Sequence, residues 1–144
     1  MKTKILAFDV YGTCLPTEGN QVKRKGLDKL LERLKDQGLI LCTCSDAKTK
    51  NVLKDFKEAG IDSDYFDEYF KMERKGNVFT QEPKNFIPIL NHYKIKPEEL
   101  TVIGDREYRD IRPAKDLGCN GILVPEYKTS RERNDFDFNT IEVH

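Results

Sequence analysis

Short apolar runs alternate with amphipathic stretches along this chain, and that alternation most narrows what it can fold into. Residues 5–8, 39–44, 100–103 and 121–124 each read as a short strand buried on both faces. Between the first two, Leu27, Leu30, Leu31 and Leu34 recur at helical spacing within residues 22–37, and Gly38 supplies a stop. Val52, Leu53 and Phe56 predict a second helix ending near Gly60. Phe86, Ile87, Leu90 and Tyr93 predict a third, opening at Pro83 or, because Pro88 lies inside it, nearer Ile87. Ile111, Ala114 and Leu117 mark a fourth, stopped by Gly118, and the aromatic stretch 65–72 reads as a turn followed by a strand near residues 68–71. Strands alternating with helices predict βαβ units. The expected class is therefore α/β: a doubly wound, Rossmann-like, mostly parallel sheet with helices on both faces and no cap domain. The 144 residues are expected to form a single domain, 1–144, with a core at about 4–125 and a charged C-terminal tail, 126–144, that docks loosely or frays.

Parallel sheets of this kind hold ligands beyond the carboxyl ends of their strands, near the reversal in strand order. Three of the predicted strands end there in polar residues: Asp9, Ser45 and Asp105, with Asp110 a turn further on. Singly, each Asp can be a turn or helix-start residue. Carboxylates gathered on adjacent strand ends, however, repel one another unless a cation lies between them. Hard oxygen donors without His or Cys point to Mg²⁺.

Composition removes other classes. Lys plus Arg and Asp plus Glu each number 25, so no overall field draws the chain to nucleic acid or anionic lipid. The apolar stretch before Asp9 is too short for a signal-peptide core or a membrane span, which leads to the expectation of a cytoplasmic protein. The four cysteines, Cys14, Cys42, Cys44 and Cys119, lack zinc-site spacing and read as reduced core thiols.

The segment Phe8-Asp9-Val10-Tyr11-Gly12-Thr13-Cys14-Leu15 resembles the first motif of the haloacid dehalogenase-like hydrolases: an apolar strand, then Asp, a spacer, usually Asp, Gly and Thr. Leu41-Cys42-Thr43-Cys44-Ser45-Asp46 is similar to the second motif, and Val102-Ile103-Gly104-Asp105-Arg106-Glu107-Tyr108-Arg109-Asp110 to the fourth. Lys84 best matches the third, with Lys75 as its competitor. The resemblance implies a phosphohydrolase in which Asp9 attacks phosphorus to form an aspartyl-phosphate. It implies Mg²⁺ held by Asp9, the Tyr11 backbone carbonyl, Asp105 and Asp110. It also implies a phosphoryl cradle of Gly12, Thr13, Ser45, Asp46 and Lys84. The partner would be a phosphorylated small molecule or macromolecule.

Tyr11 departs from that pattern, because the family's phosphatases carry an Asp there as general acid and base. A phenol, with a pKa near about 10, is a poor base at neutral pH. Three readings follow: a Mg²⁺-dependent phosphatase slowed by the exchange, a dehalogenase-type hydrolase (those enzymes do carry Tyr here), or a weakly active or inactive binding protein. Neither the interval from Asp9 to Ser45 nor that from Ser45 to Lys84 has room for a cap domain. The site is expected to be open, or covered by a neighbouring subunit in a homo-oligomer.

Overall fold

Period-two alternation sends the first strand's side chains into two separate cores. In the computed structural model, which describes residues 3–73 and 82–144, strand β1 (Ile5–Phe8) places Leu6 and Phe8 in one apolar cluster and Ile5 and Ala7 in another. Helices α1 (Leu27–Asp36) and α2 (Thr49–Ala59) close the first cluster, through Leu27, Leu30, Leu31 and Leu34 and through Val52 and Phe56. Leu53, expected on the same face as Val52, is 39% exposed, since one residue turns a helix by about 100°. Helices α3 (Ile87–Tyr93) and α4 (Arg112–Asp116) close the second cluster with Ile89 and Ala114.

The strands β2 (Ile40–Ser45), β3 (Glu68–Lys71), β4 (Leu100–Gly104) and β5 (Asn120–Leu123) join β1 in one five-stranded sheet, ordered β3-β2-β1-β4-β5. All four pairings are parallel, and Ile5 sits opposite Ile40 on one side and Leu100 on the other. Strand order therefore reverses between β1 and β4. Cys42 and Cys44 share one face, in the second cluster, and all four cysteines are buried thiols. No helix among the described residues is long and apolar enough to cross a membrane.

Two expectations change. Helix α1 begins at Leu27 rather than Val22, because Gly26 takes a left-handed φ of 77° and a side chain there would collide with Asp137. The tail does not fray: Tyr127 and Phe138 are fully buried and Ile141 is 6% exposed. Backbone bonds seat it, from Tyr127 N–H to the Gly12 carbonyl at 2.8 Å and from Phe138 N–H to that of Lys25 at 2.8 Å. Arg24, 1% exposed, lies over the rings of Tyr127, Phe136 and Phe138 at 5.0, 5.6 and 5.5 Å. Its Nη1 donates to the carbonyls of Pro125 at 2.6 Å and Thr13 at 3.3 Å, which fastens the tail to the loop after β1.

Phe138→Ala should therefore lower unfolding free energy by about 3–5 kcal/mol, the range for emptying a buried aromatic site. Urea denaturation followed by circular dichroism measures it; a loss below about 1 kcal/mol would mean the tail contributes little to the core.

Candidate active site

The loop after β1 and the turn after β4 meet where strand order reverses, and their carboxylates meet with them. Asp9 continues the β1 ladder, its N–H bonded to the Ile103 carbonyl at 2.9 Å. Gly12 then turns the chain with φ 89°; a Cβ there would lie 2.7 Å from Asp105 Oδ2. Gly104 is bare for a similar reason, since its Cβ would fall 2.6 Å from Asp110 Oδ2. Space is thus kept for the carboxylates of Asp9, Asp105 and Asp110, which each bring an oxygen within 4.8 Å of the others.

Lys84 and Thr13 hold the group together. Lys84 Nζ lies 2.8 Å from Asp9 Oδ1 and 2.7 Å from Asp110 Oδ1, and both Lys84 and Asp110 are almost wholly buried. The Thr13 hydroxyl stands 2.9 Å from Asp9 Oδ2 and 3.1 Å from Asp105 Oδ1. With all three carboxylates ionised, one ammonium would leave two negative charges unmet, a deficit one divalent cation balances. The all-oxygen donor set suits a hard cation such as Mg²⁺. Among the described residues no backbone N–H donates to the Tyr11 carbonyl, so that oxygen remains available as a further ligand. A second group of Asp67, Glu68 and His92 also converges within 4.8 Å, but all three are exposed.

The charges reset one another's protonation. Burial pushes the Asp9 carboxyl up, yet the Lys84 charge and hydrogen bonds from Asp105, Lys84 and Thr13 outweigh it and hold Asp9 below the usual carboxylate range. Burial, the neighbouring Asp9 charge and the Asp9 hydrogen bond push Asp105 up to about 7. Asp110 is also raised, by burial and Asp9, against the opposing pull of Lys84. Burial would lower Lys84, but the charges of Asp9 and Asp110 and the hydrogen bond to Asp110 raise it, so it stays an ammonium. Asp9 is therefore ionised at neutral pH, while Asp105, raised to about 7, is partly protonated there.

The remaining sequence-derived residues fall around this cluster. Ser45 is buried, and its Oγ accepts the Ala47 N–H at 3.1 Å. Asp46 borders a cavity of about 340 Å³ whose wall includes Asp9, Tyr11, Lys84 and Asp105. Lys75, the competitor of Lys84, lies outside the described residues. Tyr11 turns its hydroxyl to Asp55 Oδ2 on α2, and the Asn51 carbonyl is 3.4 Å away. Burial and the Asp55 bond raise the Tyr11 phenol far above its ordinary value.

Arg109 is a residue the sequence did not single out. In so charged a stretch an arginine would ordinarily lie on a solvated helix face. Instead it is 4% exposed, and Nη2 reaches Asp46 Oδ2 at 3.1 Å while Nη1 donates to the Glu82 carbonyl. Its own carbonyl accepts the Lys84 N–H at 3.0 Å. Arg109 thereby fixes Lys84's backbone to the loop after β2. A π-helical turn over Glu107–Ile111 precedes α4 and contains Arg109, Asp110 and Ile111, all buried.

Set beside known proteins, residues 19–118 match the family model of the haloacid dehalogenase-like hydrolases. A glyceraldehyde 3-phosphate phosphatase of Pyrococcus furiosus is 33% identical over 98 residues, which cover 67% of this chain and 40% of that protein. Among solved structures, a predicted phosphoglycolate phosphatase from Haemophilus somnus superposes with a TM-score of 0.70 at 17% identity, covering 96% of both chains. CbbY from Rhodobacter sphaeroides, in complex with xylulose-1,5-bisphosphate, gives 0.66 at 16% identity, covering 94% of this chain and 92% of that one. At such identities the structural likeness is one of fold.

Asp105 gives a pH-dependent test. Its carboxyl titrates at about 7 folded against 3.8 for the unfolded reference, so between those values the folded state binds more protons. The stability it contributes falls as pH rises through that window. Asp105→Asn should raise the Tm of the metal-free protein by a few degrees at about pH 8 and much less at about pH 4. Equal shifts at both pH values in scanning calorimetry would contradict the assignment.

Proposed function

Because the chain belongs to the haloacid dehalogenase-like hydrolase family, we propose that it is a Mg²⁺-dependent phosphohydrolase with Asp9 as nucleophile. The observation that carries this reading is the group of Asp9, Asp105 and Asp110, the first and last buried and both paired to Lys84, at the switch in strand order and short of one divalent cation. The phosphatase activities named for the Pyrococcus furiosus relative and, as a prediction, for the Haemophilus somnus structure favour a phosphorylated small molecule as substrate.

Asp9 is ionised and presents its carboxylate to the cavity. Its oxygen would attack phosphorus while the leaving group departs, forming an aspartyl-phosphate. Water then attacks phosphorus, the bond to the Asp9 oxygen breaks, and the carboxylate returns. Lys84 lies close enough to Asp9 to face the transferring phosphoryl group with positive charge, and Arg109 keeps its backbone in place. Thr13 orients the Asp9 and Asp105 carboxylates from behind. Asp9, Asp105, Asp110 and the Tyr11 carbonyl would hold the Mg²⁺, which supplies neutralisation of the carboxylate–phosphate repulsion and polarises the phosphoryl oxygens. Ser45, with the loop after it and Gly12 at the turn, would form the phosphoryl cradle.

Tyr11 sustains the competing dehalogenase reading, but a three-carboxylate cluster is not needed for halide displacement by a single Asp. Two variants divide the readings. With Mg²⁺, the protein should release phosphate from an aryl phosphate, and Asp9→Asn should lower that rate by at least about 10³-fold. Lys84→Met should lower it about 10²–10³-fold while phosphate release remains Mg²⁺-dependent. Chloride release from a 2-chloro acid without metal, and no phosphate release, would overturn the proposal.

A further inference from the structure

We infer that this site acts on phosphoryl compounds whose leaving group departs without a proton from the protein, acyl phosphates above all, rather than on phosphate esters of aliphatic alcohols. The inference rests on the proposed Asp9 nucleophile and specifies the substrate class of that same site.

An ester of an aliphatic alcohol expels an alkoxide, a strong base of the same order as hydroxide and so a poor leaving group. Such a group leaves efficiently only if a positioned acid protonates it, help worth about 10²–10⁴-fold. An acyl phosphate expels a carboxylate, whose conjugate acid titrates near about 4, and needs no proton. What the cavity wall can donate therefore limits what it can release.

Guanidinium groups apart, the proton-bearing side chains described on that wall are already engaged. The Tyr11 hydroxyl has one hydrogen, and it points at Asp55 Oδ2 on α2, away from the carboxylates. The Thr17 hydroxyl donates to the Lys128 carbonyl at 3.3 Å. Lys84 is clasped between Asp9 and Asp110, where surrendering a proton would leave those carboxylates unbalanced. Asp9 is the nucleophile, while Asp105 and Asp110 face it across the cation's place. Asp46 accepts from Arg109, and a guanidinium does not give up its proton. Among the described residues, no acid is directed at the position a leaving oxygen would take.

The step balances without one. An Asp9 oxygen forms a bond to phosphorus, the bond from phosphorus to the acyl oxygen breaks, and its electron pair leaves on the carboxylate. Water then forms a bond to the phosphorus of the aspartyl-phosphate, the Asp9 oxygen recovers its electron pair, and the protons of the water depart with the phosphate and to solvent.

The test measures kcat/KM, which reads the first step, with Mg²⁺ and three kinds of substrate: acetyl phosphate, a series of substituted phenyl phosphates, and glyceraldehyde 3-phosphate. The rate should fall steadily across the phenyl series as the phenol becomes a weaker acid. Acetyl phosphate should exceed glyceraldehyde 3-phosphate by at least about 10²-fold. Tyr11→Asp, which restores a carboxyl at the cavity wall, should raise glyceraldehyde 3-phosphate turnover at least about tenfold and acetyl phosphate far less. A flat series, or equal efficiency toward the acyl and alkyl phosphates, would overturn the inference while leaving the Asp9 reading standing. The wild-type series decides this even if Tyr11→Asp fails to fold. Acetyl phosphate turnover that survives Asp9→Asn, or no turnover of any compound, would instead overturn the nucleophile reading beneath it.

Discussion

Lys84 stands between Asp9 and Asp110, at 2.8 and 2.7 Å, and the site depends on that contact. Burying carboxylates side by side is unfavourable: each loses hydration, and each raises its neighbour's pKa. A single ammonium offsets part of the repulsion and keeps Asp9 ionised, but Asp105 is left holding a proton to about pH 7. The metal-free cluster is therefore frustrated by construction. Its unmet charge is what would give a divalent cation its affinity, and a phosphoryl group its place between cation and lysine.

The rest of the fold places these groups. Strand order reverses between β1 and β4, so the chain leaves the two strands in opposite directions and opens the crevice the carboxylates line. Gly12 and Gly104 leave their Cβ space to Asp105 and Asp110. Arg109, inside the π-helical turn, joins the loop after β2 to the backbone of Lys84. Arg24 performs a similar service behind the cluster, linking the Thr13 carbonyl to Pro125 under three aromatic rings of the tail. Arginine suits both positions, since a planar fork reaches several carbonyls or carboxylates at once without losing its charge.

Much of this was legible in the sequence. Asp9 and Asp105 each follow a run of apolar residues, and period-two burial with βαβ alternation places such residues at adjacent strand ends without further information. Lys84 was harder. It precedes α3 in irregular backbone and has no local pattern, so only the family resemblance pointed to it. Arg109 and Asp55 were not legible. The π-helical turn breaks the 3.6-residue period by which a helix face is counted, and in a stretch as charged as Gly-Asp-Arg-Glu-Tyr-Arg-Asp an inward arginine looks like its outward neighbours. Asp55 meets Tyr11 from α2, with α1 and β2 between them in the chain, a pairing set by tertiary packing alone. The tail escaped notice because Tyr127, Phe138 and Ile141 are too widely spaced to show a period, though each is buried.

A crystal of the protein soaked with Mg²⁺ and a phosphate mimic examines the central claim directly, that the carboxylates gathered at the strand-order switch select one divalent cation beside Asp9. The account predicts the cation bound by oxygens of Asp9, Asp105 and Asp110, with the mimic against the Asp9 carboxylate and Lys84. A cation bound instead at the exposed Asp67, Glu68 and His92, or a mimic held away from Asp9, would contradict it.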